Sequence, residues 1–371
     1  MLMDENLNKL INNICWWIPF KNKRNNLRHQ LISIIEDKFS SLNGLNYELK
    51  NKLEKISNND CYNLDTILNA INNTVELTTF YNDDQIKKNI FKKNVKFIEI
   101  GIFSFCNRKC WFCPNSIVDR FSSNIELDEN LFIKILKELQ EIDYFETISL
   151  YRYNEPLYDK KLLLKRIKQT REYLPKANIK LNTNGDYLTL EYLKELEAYG
   201  VNKLYITYYY NGNDKNIKFD LENTIKPGMF KLINKLGLNY HENLKSNYEY
   251  YIYIEYKSMY IEYRAIDMHN LGLDRGGIID NVVLRERKSQ CFLPNIQVPI
   301  DYDGSYTLCC NTRSDVIEHK DYIIGNVKNN TIFELFTNKK IIDFRKKLLV
   351  FGEKDGACHN CLDLRSWIGY F

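Results

Sequence analysis

Glycine and proline are scarce, 15 and 7 among 371 residues, and they are scattered, which excludes a low-complexity linker. An excess of one charge is missing too: 52 Lys and Arg stand against 48 Asp and Glu, mixed along the chain, for a formal net charge of +4. No basic stripe of the kind that neutralises phosphates is visible, so no nucleic-acid partner is expected. The start, MLMDENLNKLINNICWWIPFKNKR, holds an apolar run of only seven residues, ICWWIPF, before charge returns. That run is too short for a membrane span and wrongly arranged for a signal peptide, and the expected compartment is cytoplasmic. Cysteine, by contrast, is plentiful. Ten cysteines in a reducing compartment read as metal ligands or catalytic groups rather than as disulfides.

Residues 1–94 are rich in Asn, Lys and Leu with helical spacing, as in LRHQLISIIEDKF and LDTILNAINNTVEL, and read as a helical N-terminal extension. From Val95 the texture changes. VKFIEIGIF predicts a strand, and LDENLFIKILKELQEI a helix opening at Asp128. TISLYRY is the next strand, KKLLLKRIKQTREYL the next helix, NIKLNTNG a strand ending in a turn, and TLEYLKELEAYG a helix closed by Gly200. With NKLYITYYY the alternation predicts parallel strands joined by helical crossovers, an α/β fold built as a partial (β/α)6 TIM-like barrel. The tyrosine-dense stretch Tyr248 to Met268 predicts paired strands. Past Cys291, NIQVPIDYDGSYTLCC predicts a hairpin around Asp303 and Gly304, and TIFELFTNKKIIDFRKKLL a terminal helix. The expected division is a helical extension over 1–94, the barrel over 95–280, and a small hairpin-plus-helix subdomain over 281–371.

Two groups of cysteines carry the chemistry. FSFCNRKCWFCPNS places Cys106, Cys110 and Cys113 within eight residues, in the loop that follows the first strand. Strand-end loops of a barrel are where reactive groups gather, and soft thiolates select zinc or an iron–sulfur cluster. Zinc asks for a fourth ligand close by, yet the nearest downstream histidine is His241. The second group is Cys291, Cys309, Cys358 and Cys361, four thiolates drawn from a hairpin and a tail, which suits a closed site for zinc or an iron–sulfur cluster. Cys310 is expected to point the other way along its strand and to be no ligand. Cys15 and Cys61 read as ordinary helix-face residues.

The C-x3-C-x2-C spacing with Phe112 before the third cysteine resembles the signature of the radical S-adenosylmethionine (radical SAM) superfamily. The resemblance implies a [4Fe–4S] cluster held by Cys106, Cys110 and Cys113, whose fourth iron is left for the amino and carboxylate groups of SAM. The reduced cluster then cleaves SAM to a 5′-deoxyadenosyl radical. YNEPL resembles the family's GEP motif with Asn154 in place of glycine, which implies that Glu155 accepts from the SAM amino group. LNTNG resembles a second family turn, which directs Thr183 and Asn184 toward the ribose or carboxylate, and Arg264 is a candidate for the carboxylate. The C-terminal four cysteines resemble the twitch subdomain, a shortened form of the SPASM extension, and imply one auxiliary [4Fe–4S] cluster. A twitch dehydrogenase of this superfamily places a substrate-contacting arginine at about the distance of Arg275 from the first auxiliary cysteine, with Asp274 or His269 as candidate proton acceptors. For His269, a satisfied polar residue in a loop is the preferred reading.

These features imply a radical SAM oxidoreductase that oxidises an alcohol of a carbohydrate, cyclitol or nucleotide sugar, with flavodoxin or ferredoxin as reductant. A peptide-modifying enzyme of the same superfamily is the alternative, and a non-catalytic iron–sulfur or zinc protein a remoter one. Trp16 to Leu31 faintly resembles N-terminal stretches of bacterial surface-glycan enzymes, and is expected to dock as a helix on the barrel.

Overall fold

The computed structural model describes residues 73–361 and, upstream of them, His29 alone. The helical reading of residues 1–72, the stretch Trp16 to Leu31, Cys15, Cys61 and the tail beyond Cys361 lie outside the described residues. Helix starts follow their caps. Asp83, Asp128, Asp159 and Thr189 each accept, through the side chain, a backbone N–H in the first turn of the helices Asp84–Asn94, Glu129–Glu141, Lys160–Tyr173 and Leu190–Ala198. Gly200 takes φ +92° just past the last of these, where a side chain is disfavoured.

Between and after these helices run β1 (Phe97–Ile100), β2 (Thr147–Ser149), β3 (Asn178–Thr183) and β4 (Lys203–Thr207). The tyrosine-rich stretch forms β6 (Glu249–Tyr256) and β7 (Met259–Ile266), preceded by β5 (His241–Ser246), which the sequence reading left out. The hairpin around Asp303 and Gly304 is made of β8 (Gln297–Ile300) and β9 (Ser305–Thr307), followed by β10 (Ile323–Asn326). Among the described residues all ten strands join one sheet in the order β10-β9-β8-β1-β2-β3-β4-β7-β6-β5. From β8 to β7 every neighbouring pair is parallel, so six parallel strands form the centre and antiparallel hairpins finish both edges. The fold is mixed α/β with an open, partial-barrel sheet. Its sixth parallel strand comes from the C-terminal segment and lies beside β1, so the barrel and the C-terminal hairpin share one sheet.

Parallel strands put all their C-terminal ends on one edge, and the loops after β1, β2 and β3, which carry Cys106, Cys110 and Cys113, Glu155 and Asn184, lie at that edge. The strands' inner residues, among them Ile98, Ile148, Ile179, Leu181, Leu204, Ile206 and Ile261, are fully buried. Two details differ from expectation. The terminal helix is two helices, Ile332–Phe336 and Lys339–Leu349, because Asn338 accepts from the Ile341 N–H and starts a new helix after Thr337 bonds back to the Phe333 carbonyl. Cys309 and Cys310 sit in the bend after β9 rather than on it, so strand alternation does not determine where Cys310 points.

Candidate active site

The three-cysteine loop leaves β1 and is closed at its base by a short antiparallel bridge between Phe103 and Glu126. Four strand ends hold it in place. The Glu155 N–H after β2 donates to the Phe105 carbonyl at 2.9 Å. After β3, Asp186 receives Asn107 Nδ2 at 2.8 Å and Arg108 Nε at 2.7 Å, and Asn184 Nδ2 donates to Asn107 Oδ1 at 2.8 Å. After β4, the Gly212 carbonyl accepts the Trp111 N–H at 3.1 Å, and the Asn211 carbonyl accepts Trp111 Nε1 at 3.0 Å. After β7, the His269 ring stacks on Trp111 at 4.4 Å. Phe112 is buried against Tyr209. Asn107, Arg108 and Asp186 were not read as functional from sequence, although Asp186 directly follows LNTNG and was the available signal.

Burial pushes the Cys106 thiol up to about 12, with Cys113 and Glu155 adding to it. Burial also raises Cys110, followed by Cys113. Desolvated thiols crowded together are a costly place for bare thiolates and a good one for thiolates neutralised by a cationic metal centre. A donor set of three sulfurs on one short loop therefore fits an iron–sulfur cluster with one open iron.

Gly212 sets the clearance on one side: a Cβ there would come within 2.8 Å of Cys110 Sγ. Gly212→Ala is accordingly expected to displace the loop and lower iron occupancy at this site selectively. Iron analysis combined with electron paramagnetic resonance of the reconstituted protein checks it.

Glu155 is buried and accepts three hydrogen bonds, from Thr183 Oγ1 at 2.5 Å, the Asn184 N–H at 2.8 Å and the Leu157 N–H at 3.1 Å. A carboxylate offers about four lone-pair positions, which leaves one. Thr183 Oγ1 also accepts the Gly185 N–H, and Asn184 Oδ1 accepts the Asp186 N–H, so both side chains build the turn as well as face the site. Asn154 Oδ1 accepts the Arg152 N–H at 2.8 Å, while its buried Nδ2 has no partner among the described residues. Burial lifts Glu155 to about 7 against the hydrogen bonds that lower it. In the cluster-free protein this raised group binds a proton that the unfolded chain releases near pH 4.5. Stability through Glu155 is therefore complete below that pH and declines as pH rises toward 7, by about 3 kcal/mol at most. Glu155→Gln should flatten this slope in urea unfolding at pH 5 and pH 7.5.

Tyr209 faces both cysteine and arginine. Burial raises its phenol to about 12, with Cys110 and Cys113 adding and Arg264 and Arg275 opposing. Arg264 is half-buried on β7, opposite Thr207 in register, and bonds Thr207 Oγ1 at 3.4 Å and Glu262 at 3.3 Å. His269, in the short helix Met268–Leu271, has Nε2 2.6 Å from the Lys215 carbonyl and must donate to it.

The C-terminal four cysteines surround a cavity that is also lined by Arg287, Asn311 and Thr312 and by apolar side chains including Leu293 and Leu348. Three packing contacts assemble it. The Cys291 N–H donates to the Leu348 carbonyl at 2.9 Å, Arg287 Nε donates to the Cys361 carbonyl at 2.7 Å, and the Ala357 N–H donates to Tyr322 Oη at 2.9 Å. Burial raises Cys309 well above its ordinary range, followed by Cys310, Cys358, Cys361 and Cys291. Cys310 is close by but does not line the cavity. An enclosed set of four soft donors fits a fully ligated cluster. Among the described residues no three His, Cys, Asp or Glu side chains close on a single metal ion.

Tyr153 stands between the two groups. Its φ is +60°, its carbonyl accepts Asn115 Nδ2 at 2.9 Å, and its hydroxyl donates to the Cys310 carbonyl at 2.7 Å. The guanidinium groups of Arg152, Arg275 and Arg313 flank its ring at 5.8, 5.9 and 5.0 Å. Arg152 and Arg120, both buried, pair with Asp301 and with Asp315 respectively, at 3.0 and 2.8 Å, and so weld the β2 end and the cysteine loop to the C-terminal segment. Asp274, buried beside Arg275, is raised by burial and lowered by the Gly276 and Gly277 N–H groups, with Arg275 next.

Residues 100–208 match the Radical SAM superfamily, and residues 291–362 match SPASM, an iron–sulfur cluster-binding domain. The chain is 27% identical over 271 residues to an S-adenosyl-L-methionine-dependent 2-deoxy-scyllo-inosamine dehydrogenase of Niallia circulans, covering 72% of this chain and 93% of the relative. It also resembles the crystal structure of BtrN in complex with AdoMet and 2-DOIA, at 25% identity and a TM-score of 0.52, over 73% of this chain and 94% of that one. No helix among the described residues is long and apolar enough to cross a membrane. The sulfur-rich loop at the sheet's C-terminal edge and the four-cysteine cavity are thus matched independently: the chain carries a radical SAM domain over residues 100–208 and a C-terminal iron–sulfur cluster-binding domain over residues 291–362.

Proposed function

We propose that this enzyme oxidises an alcohol of a cyclitol or related sugar-like small molecule to the carbonyl. Cys106, Cys110 and Cys113 hold the SAM-binding [4Fe–4S] cluster, and Cys291, Cys309, Cys358 and Cys361 the auxiliary one. When bound, SAM and the two clusters supply a 5′-deoxyadenosyl radical and a one-electron acceptor. With these groups in place the alcohol would lose its carbinol hydrogen atom to the 5′-deoxyadenosyl radical, giving 5′-deoxyadenosine, its hydroxyl proton to a base, and one electron to the auxiliary centre, which balances a two-electron oxidation. A flavodoxin or ferredoxin provides the priming electron.

The observation that carries this reading is the four-cysteine cavity joined through Tyr153 and Arg275 to the same edge as the SAM loop. A relative named as a dehydrogenase and covered over 93% of its length adds to it. Glu155 takes the SAM ammonium at its remaining acceptor position, Arg264 takes the carboxylate, and Thr183 and Asn184 hold the turn that faces the ribose. Arg275 contacts the substrate, and Asp274, lifted by burial, accepts the proton. The division into 95–280 and 281–371 is one of function, since β8 belongs to the common sheet. The test is anaerobic incubation of reconstituted enzyme with SAM, reductant and 2-deoxy-scyllo-inosamine or related aminocyclitols and nucleotide sugars. One carbonyl per 5′-deoxyadenosine supports the proposal. Turnover of a peptide with none of these alcohols oxidised overturns it.

A further inference from the structure

Arg275 and Cys361 are joined by one buried side chain. Arg275 Nη1 donates to Asn311 Oδ1 at 3.1 Å, and Asn311 Nδ2 lies 3.9 Å from Cys361 Sγ in donor geometry. Asn311 is 1% exposed and lines the four-cysteine cavity. The loop carrying Arg275 is pressed onto it, because a Cβ on Gly276 would come within 3.1 Å of the Asn311 carbonyl oxygen and 2.5 Å of His319 Nε2. Arg275 itself is held at φ +51°, which a residue with a side chain rarely adopts. The amide orientation follows from these contacts. Turned over, Asn311 would set its N–H2 against a guanidinium that can only donate, so Arg275 keeps the N–H directed at sulfur.

We propose that Asn311 is a positioning residue that raises the reduction potential of the auxiliary cluster, and that Arg275 acts on the same property by fixing the orientation of Asn311. An N–H directed at a ligating sulfur withdraws charge from it and stabilises the reduced, more negative cluster. A residue in contact with substrate would thereby also prepare the centre that receives the substrate's electron. This rests on the proposed function, in which Cys361 ligates the auxiliary cluster and Arg275 meets the substrate.

The experiment is a redox titration of reconstituted holoenzyme followed by electron paramagnetic resonance, on the unaltered protein, Asn311→Leu, Arg275→Met and the double variant. The auxiliary potential should fall in each single variant, and the double variant should fall no further than Asn311→Leu, because both act through one N–H. The SAM-cluster potential should not move. Asn311→Ser, which is too short to reach the sulfur, serves where Asn311→Leu fails to assemble the cluster. An unchanged auxiliary potential with full iron content overturns the inference and leaves the dehydrogenase reading standing, and so do shifts that simply add, which assign to Arg275 only a charge effect. Absence of a second cluster from the unaltered protein overturns both.

Discussion

Cys106→Ala protein, reconstituted anaerobically, is expected to form no 5′-deoxyadenosine. Its SAM cleavage should drop about a thousandfold or more, and iron per chain should fall from roughly eight to about four. Cys106 enters the loop at a fixed point: its N–H donates to the Arg120 carbonyl at 3.1 Å, and Arg120 is buried in the pairing with Asp315 and Asp301. The neighbouring backbone is held by the Glu155 N–H at the Phe105 carbonyl. Alanine therefore leaves the loop in position and removes only a sulfur. The C-terminal group has its own supports in Leu348, Tyr322 and Arg287, so its cluster should survive. Iron analysis together with quantification of 5′-deoxyadenosine checks both halves. Loss of all iron would mean that the two groups assemble as one unit.

Cys309→Ala should give the opposite pattern. SAM is still cleaved, while carbonyl product relative to 5′-deoxyadenosine falls by roughly a hundredfold. Cys309 is buried among the other thiols, and Arg152, which ties the bend after β9 to β2, keeps its bonds to Thr307 Oγ1 and the Thr312 carbonyl. The fold should therefore tolerate the change. A cluster lacking one ligand loses its closed coordination and its use as an electron acceptor. Chromatography of both products over one time course gives the ratio. An unchanged ratio would require that another acceptor takes the substrate's electron, and Cys310, whose N–H reaches Gln297 Oε1 at 3.2 Å, would be the first residue to examine as a replacement ligand.

The motifs were legible because their chemistry is local. Three cysteines within eight residues, a carboxylate after a strand, and Asp or Thr before an apolar period all follow from nearest-neighbour spacing. The same local logic failed at Thr337 and Asn338, where a cap inside a helical period divides one helix into two. At Cys310 strand alternation does not apply, because its segment has already left the strand, and yet Cys310 stays off the lining of the four-cysteine cavity.

What the sequence determined by itself was seven candidate donor sulfurs in groups of three and four, the acidic residue after β2, and the parallel βα order that puts the three-cysteine loop and that acidic residue on one edge. What only the tertiary structure decided was how the two groups meet. Arg120 and Asp315 lie 195 positions apart, and Arg152 and Asp301 lie 149 apart, yet they pair in a buried layer. Asn311, an ordinary residue after two cysteines, gains its significance only because Arg275 and Cys361 are packed on either side of it. Such contacts depend on β8 lying beside β1, a strand order set by the burial of whole surfaces that no local spacing encodes.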